Sequence, residues 1–538
     1  MCHSFYIFMA TINIVKPMKK NLILLVALVI GIITQSFSQH TNITILEGTP
    51  SLSEPSIFIN PNNTDEIVAG AILDKYFFSE DGGATWNMGS LVSSYGVYGD
   101  PCLIVDTYGD YYYLHLSNPS NGNWIDRIVC QKSTDGGQTW DNGTYMGLNG
   151  EKAQDKQWAI VDYTNNNIYV TWTQFDDYGS SSPSDFSNIH FSKSTDGGIN
   201  WSSAQKINEI SGDCVDEGNT VEGAVPAVGP DGEIYVSWAG PEGLVFDKSL
   251  DEGSTWLDED IFVSDIPGTG WDFGVPGIYR CNGLPITCCN LSEGPYNGDI
   301  YINWSDQRNG PDDTDIWFIK STDGGDTWGE RKRVNDDGPG KQQFFTWMTV
   351  DQVTGYIWFV FYDRRAYEDS NTDVYMAVSK DGGETFFNFK ISESPFLPYS
   401  SAFFGDYSNV SAHDGVVRPI WMRLEGSYRK IMTALVDETI IGEERLEDIP
   451  FSLQQNSPNP FDESTYISFK LRTSQKVSLI VYDIFSRPVA IMVKNEELQT
   501  GKYTYHLSSH DYNLSSGVYY FTLIAGDKKI QKKMLLVK

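Results

Sequence analysis

A short repeat constrains the fold of this chain more than any other feature of its sequence. The segment Ser321 to Trp328 has the pattern Ser-x-Asp-x-Gly-x-Thr-Trp, and five further segments share it, with Asn200 in place of Thr and Phe386 in place of Trp. The other copies are Ser79 to Trp86, Ser133 to Trp140, Ser194 to Trp201, Ser249 to Trp256 and Ser379 to Phe386. Successive aspartates lie 54, 61, 55, 72 and 58 positions apart. A repeat of this period indicates stacked supersecondary units.

Each octet has the chemistry of a hairpin turn with an aromatic anchor. Ser and Asp side chains accept hydrogen bonds from nearby backbone amides, Gly allows a positive φ, and Thr-Trp returns the chain to a strand. The octets resemble the Asp box, or BNR repeat, of sialidase-type β-propellers. In that family the box is a folding element on the face away from the ligand, so the resemblance implies a structural role for these residues.

The sequence around the octets repeats one order of strands. An inner strand A ends in a turn such as Pro230-Asp231-Gly232, strand B follows, and a loop, strand C, the octet and strand D complete the unit. Such all-β units close into a propeller, which leaves few strand edges exposed. Six octets indicate six blades, whereas seven A–B strand pairs indicate seven, the number we favour. The seventh blade then needs a D strand, which Thr41 to Leu46 can donate.

The N-terminal segment is typical of a secretory signal. Met18-Lys19-Lys20 is followed by an apolar run over residues 22–33 and by the small-residue stretch Ser36-Phe37-Ser38. We therefore expect export with cleavage near Ser38, and Met18 is an alternative start. The expected domains are a signal peptide over residues 1–38, a propeller over 39–442, a linker over 443–450 and a C-terminal domain over 451–538.

The C-terminal domain has several motifs in a fixed order. Pro458-Asn459-Pro460-Phe461, the strand from Val477 to Asp483, the segment Leu514 to Tyr520 and the basic end from Lys532 to Lys538 describe a small β-sandwich. These segments closely resemble the type A C-terminal sorting domain of the type nine secretion system. The resemblance implies passage across the outer membrane of a Gram-negative bacterium, with the secretion machinery as a partner.

The body of the chain is strongly acidic. Residues 41–450 hold 24 Lys and Arg against 64 Asp and Glu, in a chain whose net charge is −33. Such a body repels nucleic acid and anionic membranes. The excess of carboxylates indicates either solubility or attraction of cations, with Ca²⁺ as the first candidate. Six Cys follow residue 38, and an exported protein can pair them, but their spacing does not fix the pairing.

The strand order places the D–A and B–C loops at the end opposite the octets, where ligands usually bind. Acids occur at the expected starts of the inner strands: Glu54, Asp100, Asp155, Glu222 and Asp406. Further charged residues occur at the ends of B strands: Asp306, Arg308, Asp363, Arg364 and Arg423. We expect a ring of carboxylates with arginines on one side. Either the charges form salt bridges between blades, or the arginines bind an anionic sugar beside catalytic or Ca²⁺-binding carboxylates.

Two segments resemble catalytic strands of the sialidase family, which uses a tyrosine nucleophile paired with a glutamate, an acidic proton donor and three arginines. Tyr407-Ser408 resembles the tyrosine strand, and Glu222 resembles the glutamate. The chain departs from the family because no Arg-Ile-Pro motif precedes the first octet and Trp238-Ala239-Gly240 stands where an arginine is expected. For a hydrolase, the resemblance implies Tyr407 with Glu222 as the nucleophile pair, Asp100 or Asp74 as the proton donor, and Arg308, Arg364 and Arg423 as ligands of an anionic group.

The sequence thus predicts a secreted or cell-surface propeller that binds extracellular glycans, and it leaves hydrolysis open. The alternative is a non-catalytic adhesin or scaffold that Ca²⁺ stabilises. No Ser-His-Asp, Cys-His or His-Glu-x-x-His arrangement supports a peptidase.

Overall fold

A computed structural model describes residues 40–48, 52–426, 428–438, 451–471, 473–484, 487–525 and 528–538. The expected signal peptide and the expected linker lie outside the described residues. The regular elements within them are β-strands, so the prediction of an all-β protein is confirmed.

Seven antiparallel sheets make up the larger part of the chain; six contain four strands in sequence order, and the seventh combines three consecutive strands with the N-terminal strand. From the inner to the outer strand, blade 1 contains Ser56–Ile59, Ile67–Ala71, Lys75–Ser79 and Asn87–Ser90; blade 2 contains Cys102–Val105, Tyr111–Leu116, Ile128–Ser133 and Thr144–Met146; and blade 3 contains Ala153–Val161, Ile168–Phe175, Ser187–Ser194 and Gln205–Lys206. Blade 4 contains Glu222–Val228, Ile234–Gly240, Gly243–Ser249 and Ile261–Ser264, and blade 5 contains Ile286–Cys289, Ile300–Asp306, Asp315–Ser321 and Lys332–Arg333. Blade 6 contains Gln343–Val350, Ile357–Asp363, Asp373–Ser379 and Phe387–Lys390, and blade 7 contains Asn409–His413, Val416–Glu425, Tyr428–Ala434 and Asn42–Glu47. Short strands Asp272–Phe273 and Cys281–Asn282 form a hairpin before blade 5, and Val436–Asp437 adds to blade 7.

The N-terminal strand closes the ring. Asn42–Glu47 pairs antiparallel with Tyr428–Ala434, with Asn42 opposite Ala434 and Glu47 opposite Lys430. Each inner strand contacts the inner strand of the next blade, and the inner strand of blade 7 contacts that of blade 1. The chain is therefore a seven-bladed propeller, and the expected closing strand is confirmed.

The second strand of each blade lies between two neighbouring sheets, which explains its composition. Every residue of Ile234–Gly240, Ile300–Asp306 and Ile357–Asp363 is buried. A strand covered on both faces is mostly apolar rather than alternating, and its buried polar residues, such as Ser237 and Asn303, are hydrogen-bonded. Trp238 and Trp304 lie at the same position of their strands and are 1% and 0% exposed. These strands supply most of the core between the blades.

The octets form the turns between the third and fourth strands. In the fifth copy, the Gly325 amide donates to Ser321 Oγ at 2.9 Å, and the Thr327 amide donates to Asp323 Oδ1 at 2.9 Å. Equivalent bonds occur in the other five copies. The ring of Trp328 lies 5.1 Å from that of Phe246 in the preceding blade. The octets therefore connect neighbouring blades, as their expected structural role requires.

The C-terminal part has its own core. One sheet contains Phe451–Leu453, Ser464–Leu471 and Gly501–Ser508, and a second contains Pro488–Leu498, Gln475–Tyr482, Gly517–Ala525 and Lys528–Leu536. Buried apolar residues from both sheets, among them Phe469, Leu479 and Phe521, pack together. This part is the small β-sandwich that the sequence predicts.

The cysteines of the described part are unpaired. Cys102, Cys130, Cys214, Cys281 and Cys289 are buried, and Cys288 is half-buried. Export permits disulfides, but none forms among the described residues.

Candidate functional site

One end of the propeller channel is surrounded by the loops that lead into the inner strands. Because each blade is an antiparallel sheet, these loops and the loops between the second and third strands lie at the end opposite the octets. We call this end the mouth. The five acids expected at the starts of the inner strands are all buried here: Glu54, Asp100, Asp155, Glu222 and Asp406.

Six of the seven inner strands have a residue with left-handed backbone near the mouth. These residues are Glu54, Asp100, Lys156, Gly223, Phe345 and Gly405, with φ between +50° and +93°. The pairing with the second strand is irregular at three of them, between Asp155 and Trp158, between Glu222 and Val225, and between Phe344 and Trp347. A bulge of this kind redirects neighbouring side chains and is frequent beside functional sites. Left-handed backbone is strained for residues other than Gly, and such strain concentrates where a site requires it.

Asp406 is held between two cations at the centre of the mouth. Lys156 Nζ lies 2.7 Å from Asp406 Oδ2, and Arg280 Nε donates to Asp406 Oδ1 at 2.8 Å while its Nη2 contacts Oδ2. Arg280 Nη1 also contacts Asp216 Oδ2 at 3.1 Å. Burial opposes ionisation of Asp406, but Lys156 and Arg280 outweigh it and hold the pKa of this carboxyl below its usual range. Asp406 is therefore an ionised carboxylate.

The pKa values of Glu222 and Glu54 are shifted in the opposite direction. Glu222 is 1% exposed and neither of its carboxyl oxygens has a hydrogen-bond partner, and Oε1 of Glu54 also lacks one. Burial raises the pKa of both groups well above the usual value, with further contributions from Asp216 for Glu222 and from Asp100 for Glu54. The mouth thus contains carboxyl groups whose pKa is raised by burial next to one whose pKa is lowered by two cations.

Asp155 lies beside these groups and is shifted in the same direction. Burial, opposed by Lys156 and aided by Asp100, raises the pKa of Asp155 to about 8. The amide of Lys156 donates to Asp155 Oδ1 at 2.9 Å. Asp155 is therefore also protonated over much of the neutral range.

Tyr407 lies in an aromatic floor beneath the acids. Its ring centroid is 5.1 Å from that of Trp158 and 6.3 Å from that of Trp347, and the two indole rings are 4.3 Å apart. Its hydroxyl is buried and has no hydrogen-bond partner. Burial, and then the charges of Asp100 and Glu54, raise the pKa of Tyr407 well above its usual value. The expected bond between Tyr407 and Glu222 is therefore not formed.

The free space at the mouth is small. A cavity of about 30 Å³ is lined by residues that include Lys156, Trp158, Trp347, Asp406 and Tyr407. This volume has room for roughly two water molecules. Trp158 and Trp347 also line a larger cavity of about 320 Å³ further down the channel. Access of a sugar ring to these acidic groups therefore requires the mouth loops to rearrange.

The structure does not bring the expected arginines to this site. Arg308 Nε donates to Asp306 Oδ1 at 2.9 Å within blade 5, and Arg423 Nη1 donates to the carbonyl of Ser394 at 2.6 Å. Arg364 is buried, where its Nε donates to Thr372 Oγ1 at 3.0 Å. These side chains lie at the ends of second strands, one strand further from the axis than the inner strands. The expected arrangement of three arginines around an anionic sugar is therefore not formed.

The acids expected beside these arginines are likewise engaged within the blades. Asp306 also accepts a hydrogen bond from Trp304 Nε1 at 2.8 Å. Asp363 accepts from Arg365 Nε at 2.8 Å, so its partner is Arg365 rather than Arg364. The contacts of Asp306 and Asp363 are salt bridges, but they lie within one blade rather than between blades as one of the two interpretations expected.

Lys156 and Arg280 are the mouth residues that sequence reasoning missed. Lys156 reaches the centre because its backbone is left-handed, which no local motif reveals. Arg280 belongs to the connection that contains the hairpin Asp272–Phe273 and Cys281–Asn282. The spacing of 72 residues between the fourth and fifth octets, the longest of the five, was the signal for that insertion.

The acidic ring is not arranged as a metal site. Among the described residues, no group of three or more His, Cys, Asp or Glu side chains is placed to hold a metal ion. Lys156 and Arg280 supply the positive charge at its centre instead.

A comparison with protein families covers the end of the chain. Residues 457–538 match the secretion system C-terminal sorting domain. The C-terminal β-sandwich is a sorting domain. The sorting domain implies an interaction with the type nine secretion machinery and secretion to the cell surface or the medium. Among the described residues, no helix is long and apolar enough to cross a membrane.

Comparisons of the whole chain give distant similarities. No curated protein matches it. Solved structures similar to it include an ulvan lyase of a new polysaccharide lyase family (13% identity, 74% of this chain and 96% of that chain, TM-score 0.45). Others are a protein of unknown function from Dyadobacter fermentans (13%, 74% and 97%, 0.42) and the sialidase of Trypanosoma rangeli (11%, 89% and 89%, 0.39). The assignment of seven blades rests on the strand pairing itself.

Proposed function

We propose that this exported propeller binds a glycan at the mouth and hydrolyses a glycosidic bond there. The observation that carries the proposal is Glu222, a buried carboxyl group with no partner for either oxygen. A buried polar group without a partner is costly, and such groups persist where a ligand or a reaction needs them. The sorting domain supports an extracellular substrate.

The different charge states of the carboxyl groups suggest how the reaction proceeds. Glu222, whose pKa is raised by burial, donates its proton to the glycosidic oxygen as the bond breaks. Tyr407 attacks the anomeric carbon, and Asp100, whose Oδ2 has no hydrogen-bond partner, accepts the tyrosine proton. Water then attacks the anomeric carbon of the glycosyl-tyrosine and gives one proton to Glu222, while Asp100 returns its proton to the departing oxygen of Tyr407. Asp100 thus serves as a base in this proposal, whereas the sequence suggested Asp100 or Asp74 as the proton donor.

The proposed substrate is a neutral sugar rather than an anionic one. The mouth has more acids than bases, and Arg280 is already held by Asp406 and Asp216. An anionic sugar there would face buried carboxylates without a free guanidinium. Glu54, Asp155 and Glu222, when protonated, can donate hydrogen bonds to sugar hydroxyl groups.

The test is hydrolysis of a panel of neutral aryl glycosides and an aryl sialoside by the exported chain and its variants. We expect turnover of a neutral glycoside, lowered about 10²- to 10⁴-fold by Glu222→Gln. Asp247→Asn is the matched control because Asp247 is also a buried acid with an oxygen that lacks a partner, but it lies in the third strand of blade 4. Full activity in Glu222→Gln contradicts the assignment of the acid.

A second candidate function is glycan binding without hydrolysis. The small cavity and the ion pairs of Asp406 favour it, because they leave little preformed space for a reacting sugar. Binding in a glycan array by a protein that hydrolyses none of the panel supports this candidate. The sequence suggested that Ca²⁺ stabilises such a binder, but the described residues contain no cluster of side chains that could hold a metal ion.

A further inference from the structure

An exposed aromatic cluster lies beside the mouth. Trp124 is 43% exposed, and its ring lies 5.5 Å from that of Tyr98 and 5.3 Å from that of Tyr178. It meets both rings at nearly right angles, 87° and 90°. All three residues belong to loops at the mouth end of blades 1 to 3, and Tyr98 and Tyr178 pack against the core underneath. Trp124 is therefore an exposed indole held in place by two tyrosine rings.

The loop that carries Trp124 is rigid. The next residue, Ile125, is fully buried and has a φ of +45°, which is rare for a β-branched residue. The Ile125 amide donates to the carbonyl of Ser117 at 3.0 Å, and its own carbonyl accepts from the Gln154 amide at 2.7 Å. Burial and hydrogen bonds on both sides of this peptide fix the position of Trp124. A preorganised side chain loses little entropy when a ligand binds.

A short chain of polar contacts connects this cluster with the mouth. The Tyr178 hydroxyl donates to Asp216 Oδ2 at 2.7 Å, and the same oxygen lies 3.1 Å from Arg280 Nη1. Arg280 in turn holds Asp406. Three contacts thus lead from the exposed ring of Trp124 to Arg280 of the central ion pairs, on the same face of the propeller.

We propose that Trp124, with Tyr98 and Tyr178, is a platform that stacks a sugar ring of an extended neutral glycan whose next units lie over the mouth. This inference rests on the proposed glycan-binding function and adds the length of the ligand to it. The apolar face of a pyranose ring fits the face of an indole, and the hydroxyl groups at its edge need the polar neighbours that the mouth supplies. A protein partner needs a much larger contact surface than one exposed indole offers.

The experiment measures binding of neutral hexasaccharides and of their monosaccharides by calorimetry with the exported chain. The probes are β-1,3-glucan, β-1,4-glucan, β-1,4-xylan and β-1,4-mannan oligomers. We expect at least one hexasaccharide to bind more tightly than its monosaccharide. We expect Trp124→Ala to lower the ratio of hexasaccharide affinity to monosaccharide affinity about tenfold. Trp124→Phe should retain most of this ratio.

Tyr108→Ala is the matched control. Tyr108 is an aromatic residue that is 80% exposed, but it lies in the turn between the first two strands of blade 2, at the octet end. We expect this variant to bind like the unchanged protein. The inference is overturned if no hexasaccharide binds, if hexasaccharide and monosaccharide bind equally, or if Trp124→Ala and Tyr108→Ala behave alike.

The same samples separate this inference from the proposed hydrolysis. Hexasaccharide binding that depends on Trp124, without turnover of any aryl glycoside, supports the platform and contradicts catalysis. Turnover that depends on Glu222, without an effect of Trp124→Ala on the affinity ratio, supports catalysis and overturns the platform.

Discussion

Lys156 and Asp406 form an ion pair at 2.7 Å although 250 positions separate them in the sequence. The pair connects blade 3 with the loop that enters blade 7, on opposite sides of the seven-bladed ring. Together with Arg280 this pair lowers the pKa of Asp406, whereas burial raises the pKa of Glu54 and of Glu222. Opposite pKa shifts of neighbouring carboxyl groups are the electrostatic basis of the proposed site.

Substitution of Lys156 tests how much this ion pair contributes to the stability of the fold. Lys156→Met leaves buried carboxylates without one of their two cations, and we expect the free energy of unfolding in urea to fall by about 3–5 kcal/mol. Lys75→Met is the control, since Lys75 Nζ lies 3.0 Å from Asp74 at the surface and such pairs contribute about 0–1 kcal/mol. Equal losses of unfolding free energy in Lys156→Met and Lys75→Met would contradict a central stabilising role for Lys156.

The octets give a prediction about glycine. A Cβ atom on Gly325 would lie 2.3 Å from Phe246 Cε1, and φ at Gly325 is +85°. We expect Gly325→Ala to lower the melting temperature by several degrees more than Gly324→Ala, which has a similar φ of +71° but no atom within 4 Å of the added carbon. Similar melting temperatures for both variants would show that the packing against Phe246 adjusts without loss.

The closing strand gives a third prediction. Ile45 of Asn42–Glu47 packs into the core of the ring, and without this strand the edge of Tyr428–Ala434 is exposed. We expect a chain that begins at residue 52 to melt roughly 5–10 °C lower than one that begins at residue 40, and to self-associate through the open edge. Differential scanning calorimetry and gel filtration measure the two effects. An unchanged melting temperature and a monomer would contradict a structural role for closure.

The pH dependence of stability follows from the raised pKa of Asp155, about 8. A carboxyl group whose pKa is raised by folding binds its proton more tightly in the folded protein, so its contribution is largest at low pH and is lost as the pH rises through about 8. We expect Asp155→Asn to reduce the loss of stability between about pH 4 and pH 8. Urea unfolding at several pH values measures this slope. Asp231→Asn, at an exposed turn, serves as the control, and an identical slope for Asp155→Asn and the unchanged protein would contradict the shift.

The sequence predicted the fold well because its signals are local. An octet such as Ser321 to Trp328 contains its own hydrogen-bond partners, and strand order alone places Glu54, Asp100 and Glu222 at one end. The closing strand followed from counting strand pairs. These features need no knowledge of long-range side-chain contacts.

The expected arginines and the two cations found at the mouth, Lys156 and Arg280, show what local sequence signals do not predict. Arg308 and Arg423 lie at the correct end of the propeller but one strand too far from the axis, and each finds a partner nearby. Lys156 and Arg280 reach the centre through a left-handed residue and an inserted hairpin. Such backbone details depend on packing between blades rather than on local sequence patterns.

The most direct test of the central claim compares leaving groups in the Glu222→Gln variant. If Glu222 protonates the departing oxygen, its removal slows hydrolysis of a phenyl glycoside by about 10²-fold or more, because phenoxide is a poor leaving group. A dinitrophenyl glycoside needs little protonation, and its hydrolysis should change far less. An equal loss of rate for both substrates, or no loss for either, would contradict Glu222 as the proton donor of this site.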